Sequence, residues 1–379
     1  MSESSTRRSF IAKGAAVGAA TVLASAESQA AKKKETAKEP EKPVSKYDRK
    51  LKIGVIGLSP YSFMLWSWSD IIEGVKPGSQ RGNFGTPFLN MEITHIWDKN
   101  RQAADEFAKR MNAVVVDKFD GMLGKIDGLI FADFDDVSMQ PKLAKPYLEA
   151  GVPTYISRPF AYSLREIDEI LDAAAKGNTP IIATTKYEHY KEVPALKEKI
   201  KNIGNIRLVQ AATFTLDFPM HFHIQFMMLK ILGYDVKKVA MFTDHDMKAN
   251  YVHDVYVYPG KDSQPPFTCS IDGSLIPDSF YINIYGDKGN LHAEMLRGYD
   301  WEYSLLHRYA PQVIDMQRTF YGKNYEPYDI VRKKTEIFLT AYYSYLEKGG
   351  APVDVGTVPA EWRVNSPNLN VRIDLNQFK

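Results

Sequence analysis

A single cysteine, Cys269, in 379 residues excludes an intrachain disulfide and any zinc site built on paired cysteines. It fits either redox compartment and so does not locate the protein. Net charge is also small: 48 Lys and Arg against 46 Asp and Glu leave +2, which gives no basic footprint for nucleic acid. Long apolar runs are missing. The Ala/Gly-rich stretch at 14–23 is about half the ~20 residues that span a bilayer, so no stable transmembrane segment is expected. No G-x-S-x-G elbow or Ser/His/Asp arrangement stands out, which argues against a serine hydrolase. No internal repeat is visible.

What is present begins at the N-terminus. Thr6-Arg7-Arg8-Ser9-Phe10-Ile11-Ala12-Lys13 resembles a bacterial twin-arginine export signal. The short apolar run follows it, then Ala24-Ser25-Ala26 and Ser28-Gln29-Ala30 as two cleavage sites of the A-x-A kind. Residues 1–30 are therefore expected to be a signal peptide, and the Lys/Glu/Pro-rich stretch 31–48 a solvated linker. The mature protein is expected in the periplasm or secreted. Export in the folded state suits a protein that takes up a cofactor in the cytoplasm.

Beyond the linker, short apolar runs alternate with helical segments. Residues 53–56, 91–97, 113–116, 128–132, 152–156 and 180–184 read as buried strands. Residues 61–75, 101–111, 141–150 and 163–175 read as helices, the last opened by a Ser163/Glu166 capping box. The Gly/Pro-rich stretch 77–90 reads as a loop. This alternation predicts an α/β domain over 49–186, a Rossmann-like, doubly wound parallel sheet. From Asn205 the texture changes. Strands are expected at 206–216, 238–243, 254–258, 267–271, 279–285 and 291–295, with helices at 222–232 and 330–346. The second domain, 187–379, is thus expected to be α+β, its open and largely antiparallel sheet leaving one face for a substrate or a partner subunit.

Ligands of doubly wound sheets bind at the carboxyl ends of the strands. Gly57, Asp98, the loop from Asp133, Arg158 and Lys186 all fall at such ends, with Tyr187 and His189 just beyond. The turn after the first strand reads Gly57-x-Ser59-x-x-Ser62 where a phosphate loop reads G-x-G-x-x-G. Asp98 stands where an acidic residue holds ribose hydroxyls, and equally where helix 101–111 needs an N-cap. His221 and His223, Asp244-His245-Asp246 and His253-Asp254 form no tight ligand set, and no metal is expected.

The order and spacing of these elements resemble the Gfo/Idh/MocA oxidoreductases from Leu51 to the end of the chain. The residues that carry the resemblance are the opening strand and turn, Ile126-Asp127-Gly128-Leu129-Ile130, the helix after strand five, Leu232-Gly233, and Gly286-Asp287-Lys288-Gly289. The resemblance implies NAD or NADP as cofactor, a small-molecule sugar or polyol as substrate, and a homo-oligomer. It puts the family's glycine-rich loop on Gly57, Ser59 and Ser62. It puts the E-K-P lysine, which touches substrate and nicotinamide ribose, on Arg158 of Ser157-Arg158-Pro159. The histidine of the family's H-x-x-D pair falls on His223, and the aspartate position holds Phe226. Lys186, Tyr187, His189 and His221 are expected toward the substrate, and Asp98 and Asp133 toward the cofactor. An arginine neither releases nor accepts a proton readily, which leaves His223 as the general base.

Two kinds of function follow. One is an exported oxidoreductase that moves a hydride between NAD(P) and a sugar or polyol, with altered cofactor and catalytic motifs. The other is a repurposed member that binds a carbohydrate or a partner without turnover. An NAD-using glycosidase lies between them.

Overall fold

The computed structural model describes residues 49–57, 90–132, 137–214, 218–243, 251–274, 279–297 and 301–364. The leader and linker lie outside these residues, as do the helix expected at 61–75, Ser59, Ser62 and Asp133.

Strand β1 is Leu51–Ile56, and every residue in it except Lys52 is buried. Such a run, apolar on both faces, suits the centre of a parallel sheet covered on both sides. β2 (Met91–Trp97), β3 (Val114–Val115), β4 (Gly128–Phe131), β5 (Thr154–Ile156) and β6 (Ile181–Ile182) complete a sheet of order β3-β2-β1-β4-β5-β6. All of its pairings are parallel. The order reverses direction beside β1, as in dinucleotide-binding folds.

Alternation along the strands divides the core. Leu51, Ile53 and Val55 face Phe107 and Met111 of helix α1 (Arg101–Met111). Ile56, Leu129, Phe131 and Ile156 join the opposite core with Leu148 of α2 (Gln140–Glu149) and Ile167 of α3 (Leu164–Gly177). The capping box reads almost as expected: Ser163 Oγ accepts the Glu166 N–H at 3.1 Å. The Glu166 carboxylate, however, takes the N–H of Tyr162.

After α4 (Glu192–Ile200) the chain forms α5 (Phe218–Leu232) and seven more strands. These are β7 (Ile206–Phe214), β8 (Lys238–Thr243), β9 (Tyr251–Tyr258), β10 (Phe267–Ser274), β11 (Ser279–Gly286), β12 (Asn290–Arg297) and β13 (Val353–Asp354). They form one sheet, β12-β11-β7-β10-β9-β8-β13, antiparallel except for the β10/β7 pair. Along β9, Val252, Asp254, Tyr256 and Tyr258 are buried while the residues between them are partly open. One face therefore packs inward and the other is uncovered, the alternation of a one-sided antiparallel sheet. The turn into β12 needs its glycine: a Cβ on Gly286 would lie 2.2 Å from the Ile203 carbonyl oxygen.

Two further helices tie the halves together. α7 (Tyr328–Lys348) packs on β8 and on α3. α6 (Trp301–Phe320) has no counterpart among the elements expected from sequence. Although late in the chain, it returns to the first sheet, and Val313, Met316 and Phe320 close the core that β1 shares with α1. Gly128 makes the room, since a Cβ there would stand 2.6 Å from the Phe320 ring. Residues after 187 thus contribute a layer to the N-terminal sheet as well as building the second one.

Candidate functional site

The carboxyl ends of β2, β1, β4 and β5 lie in one row, through the pairs Ile56↔Trp97, Ile56↔Phe131 and Phe131↔Ile156. The ladder runs one residue further. Gly57 N–H donates to Trp97 O, Ala132 N–H to Ile56 O, and Ser157 N–H to Phe131 O. Gly57 and Asp98 are therefore neighbours at the turning point of the sheet, and Arg158 leaves the adjacent half of the same edge. Gly57 has φ 85°, the left-handed region that favours glycine, so the first glycine of the loop is retained for a backbone reason. Asp98 Oδ1 accepts the Asn100 N–H at 2.6 Å. The N-cap of α1 is Asn100, whose side chain accepts from Ala103 N, so the capping role open to Asp98 belongs to its neighbour.

Arg158 precedes a cis bond to Pro159. Its Nε–H donates to His223 Nε2 at 2.8 Å, joining two residues 65 apart in the chain. A guanidinium N–H can only donate, so Nε2 carries the lone pair, and the proton of the neutral imidazole sits on Nδ1. His223 is 1% exposed. Burial, then the charges of Arg158 and Lys186, hold its pKa well below the ordinary 6.5. Both act against the imidazolium. At neutral pH His223 is thus an uncharged acceptor whose lone pair is held by a fixed cation.

The other expected residues gather around this pair with different roles. Lys186, Tyr187 and His189 share a 3-10 turn, Lys186–His189, just after β6. Lys186 Nζ lies 5.1 Å from the Tyr187 ring centroid, and the Tyr187 ring meets His223 edge-on at 5.0 Å. Both ring nitrogens of His189 meet protein atoms. Nδ1 is 2.8 Å from Asp315 Oδ2 and Nε2 2.8 Å from Thr184 Oγ1. His189 thus bridges α6 and the end of β6. His221 lies in α5, and its side chain falls outside the described residues, with Ser59, Ser62 and Asp133. Among the described residues no group of three His, Cys, Asp or Glu side chains converges as a metal site. His253 instead pairs with Asp272 across β9 and β10.

The structure also adds contacts around the pair, most of them from residues that the sequence did not single out. Gln312 of α6 donates to the Tyr155 hydroxyl and to the Thr184 carbonyl, both at 3.2 Å. Phe226, at the position where an aspartate was expected, stacks on Phe160 with centroids 5.3 Å apart. Lys334, Glu188 and Glu326 form a buried cluster beneath that stack.

Fold and strand-end geometry together define an α/β protein with a dinucleotide-fold domain, joined to an α+β domain that adds a helix to the site's edge. Residues 51–185 match the Gfo/Idh/MocA model, described as an oxidoreductase family with an NAD-binding Rossmann fold. Solved structures with the same fold include the WlbA dehydrogenase from Bordetella pertussis in complex with NADH and UDP-GlcNAcA. It is 14% identical, with TM-score 0.64, and the match covers 82% of this chain and 99% of that one. Scyllo-inositol dehydrogenase from Lactobacillus casei with NAD(H) and scyllo-inositol gives 13%, 0.63, 81% and 99%. An oxidoreductase from Agrobacterium radiobacter with NAD+, L-tartaric acid and magnesium gives 16%, 0.62, 81% and 99%. Comparison with curated protein sequences gives no significant match.

Proposed function

We propose that this chain is a Gfo/Idh/MocA oxidoreductase that transfers a hydride between NAD or NADP and a sugar or polyol. One observation carries the reading. The Arg158–His223 hydrogen bond stands at the carboxyl edge of a 3-2-1-4-5-6 parallel sheet, next to the strand ends where Gly57 and Asp98 meet. The family match over 51–185 and the NAD-, NADH- and polyol-bearing neighbours support it. The left-handed turn at Gly57 and the carboxylate of Asp98 fit a dinucleotide, and these two residues would hold it. When bound, the nicotinamide accepts or supplies the hydride.

The protein's own part follows from the pair. His223 accepts a proton at Nε2 only once Arg158 no longer donates to that atom. A substrate oxygen that draws the guanidinium away therefore frees the base and receives a cation in the same movement. That cation stabilises a developing alkoxide, and His223 takes the hydroxyl proton. Arg158 does not itself transfer a proton.

A second reading, carbohydrate binding without turnover, is favoured by the burial of His223 and its engaged lone pair. Export through the twin-arginine pathway is part of the proposal and rests on Arg7, Arg8 and the residues after them. So is self-association, supported by the uncovered face of the seven-stranded sheet. No helix among the described residues is long and apolar enough to cross a membrane.

Mass spectrometry of small molecules released from freshly purified full-length protein, with NADH fluorescence titration, tests the enzyme reading. Bound nicotinamide, or an NADH affinity in the micromolar range, is expected. Neither bound nucleotide nor any NADH binding would sink it and leave the binding reading.

A further inference from the structure

Lys334 of α7 has no solvent exposure. Its Nζ donates to Glu326 Oε1 and Oε2 at 2.7 and 2.9 Å and reaches Glu188 Oε1 at 3.4 Å. The same ammonium stands 5.1 Å from the ring centroid of Phe160 and 5.5 Å from that of Phe226. A lysine is buried this fully only where its charge is matched, and the two ring faces add to the match.

Every partner of Lys334 leads to the candidate pair. Phe160 follows Arg158 and Pro159 out of β5. Phe226 is three residues after His223, on the same side of α5. Glu188 Oε2 accepts the Thr185 N–H at 2.7 Å, and Glu326 Oε2 accepts the Ala183 N–H at 3.3 Å. These two bonds fix the end of β6 and the turn that carries Lys186 and Tyr187. Arg158 donates to His223, whose ring meets that of Tyr187, the residue before Glu188, so guanidinium and carboxylate are linked through one buried pair of rings. There an uncompensated carboxylate attracts a guanidinium strongly.

We propose that Lys334 is a positioning residue for the Arg158–His223 pair. Its ammonium holds both Glu188 and Glu326, so that neither carboxylate competes with His223 for the guanidinium, and it pins the Phe160–Phe226 stack beneath both. This rests on that pair being the reacting one, but the geometry can be tested without nucleotide or substrate.

The experiment uses full-length protein labelled with 15N-histidine. Long-range 1H–15N spectra report the tautomer of His223 and the acceptor state of Nε2. The wild type shows an Nδ1–H imidazole that does not titrate as pH falls through 6.5. Lys334→Met loses that signature: the Nε2 resonance shifts and begins to titrate. Leu339→Ala, in the same helix and equally buried, lowers stability and leaves the signature intact. Should Lys334→Met not fold, Lys334→Met with Glu326→Gln replaces the buried pair by neutral groups, a change that proteins tolerate far better than removal of one partner. Glu188 is then left without its ammonium, and the His223 signature is lost as before. An unchanged His223 spectrum in either folded variant overturns the proposal. So does an equal change in Leu339→Ala, which would show that packing alone sets the pair. Failure of NADH to bind would leave the inference standing, and an unchanged spectrum would leave the oxidoreductase reading standing.

Discussion

Burial and two neighbouring cations keep His223 neutral in the folded protein, which makes stability depend on pH in a defined window. In the unfolded chain an imidazole titrates near 6.5. The folded pKa lies below that value, so between the two the unfolded state binds a proton that the native state does not. Stability from this group is therefore complete above about pH 6.5 and falls as the pH drops, by at most about 1.4 kcal/mol per pH unit. The informative variant is His223→Gln. Its amide oxygen can still accept from Arg158 Nε and does not titrate. His95 is also pushed down, mainly by burial, but its contribution is common to both proteins and cancels in the difference. Urea unfolding midpoints measured from about pH 7.5 to 5.5 give the stability of each protein at each pH. The wild type should lose stability relative to His223→Gln by about 1 kcal/mol over the lowest pH unit, with no relative change above pH 7. A flat difference across the range would refute the claim that the structure holds this histidine neutral, and with it the account of an engaged lone pair.

Three other outcomes are expected. Gly128→Ala should cost about 1–3 kcal/mol by overpacking and Phe320→Ala about 3–5 kcal/mol by opening a cavity. In a double-mutant cycle by urea unfolding the double variant should cost clearly less than the sum, because the shortened side chain admits the new methyl group. Gln312→Leu removes one of the two donors to the buried Thr184 carbonyl, which keeps the Tyr155 hydroxyl, and the bond it gives to that hydroxyl; thermal or urea unfolding should show a loss of about 1–3 kcal/mol for the two bonds. Asp98→Ala should weaken NADH binding about 10–100-fold if its carboxylate holds ribose hydroxyls, and a fluorescence titration would detect this. An unaltered affinity would move the cofactor away from the β1–β2 edge.

The strand ends were legible because parallel strands announce themselves as short apolar runs, and their final residues then share one edge whatever the loops do. Gly57, Asp98, Arg158 and Lys186 were found this way. That Arg158 and His223 touch was not readable from either segment, since the contact joins β5 to a helix of the other domain. Helix α6 was missed for a local reason. Pro311 stands inside it and reads as a helix breaker, and its apolar positions at Ala310, Val313, Met316 and Phe320 are diluted by charged neighbours. Their three- and four-residue spacing was the available signal. Lys334 was harder still. It stands in Arg332-Lys333-Lys334, which reads as a solvated basic run. Only the arrival of Glu188 and Glu326 from elsewhere in the chain makes burial of its charge tolerable.

Arg158 and Phe226, which the resemblance sets at the places of a lysine and an aspartate, make more sense together than apart. A carboxylate beside a histidine favours the imidazolium and raises its pKa, whereas an arginine disfavours it. With Phe226 stacked on Phe160, the imidazole is oriented by Arg158 from the Nε2 side. The polarity of the pair is thereby reversed. An aspartate at 226 would sit near Lys334, whose Nζ is 5.5 Å from the present ring. It would compete with Glu188 and Glu326 for that ammonium before it could orient His223. Glu188 and Glu326 are committed to Lys334 and to the backbone of the β6 exit, so they hold the turn rather than tune the base. On the proposed reading, chemistry falls mainly to the cation: Arg158 would lower the energy of an oxyanion, and His223 would accept a proton only while the guanidinium is engaged elsewhere. That reading makes a substrate oxygen able to draw Arg158 away a requirement of turnover, and under it a ligand without one would bind at this edge and remain unchanged.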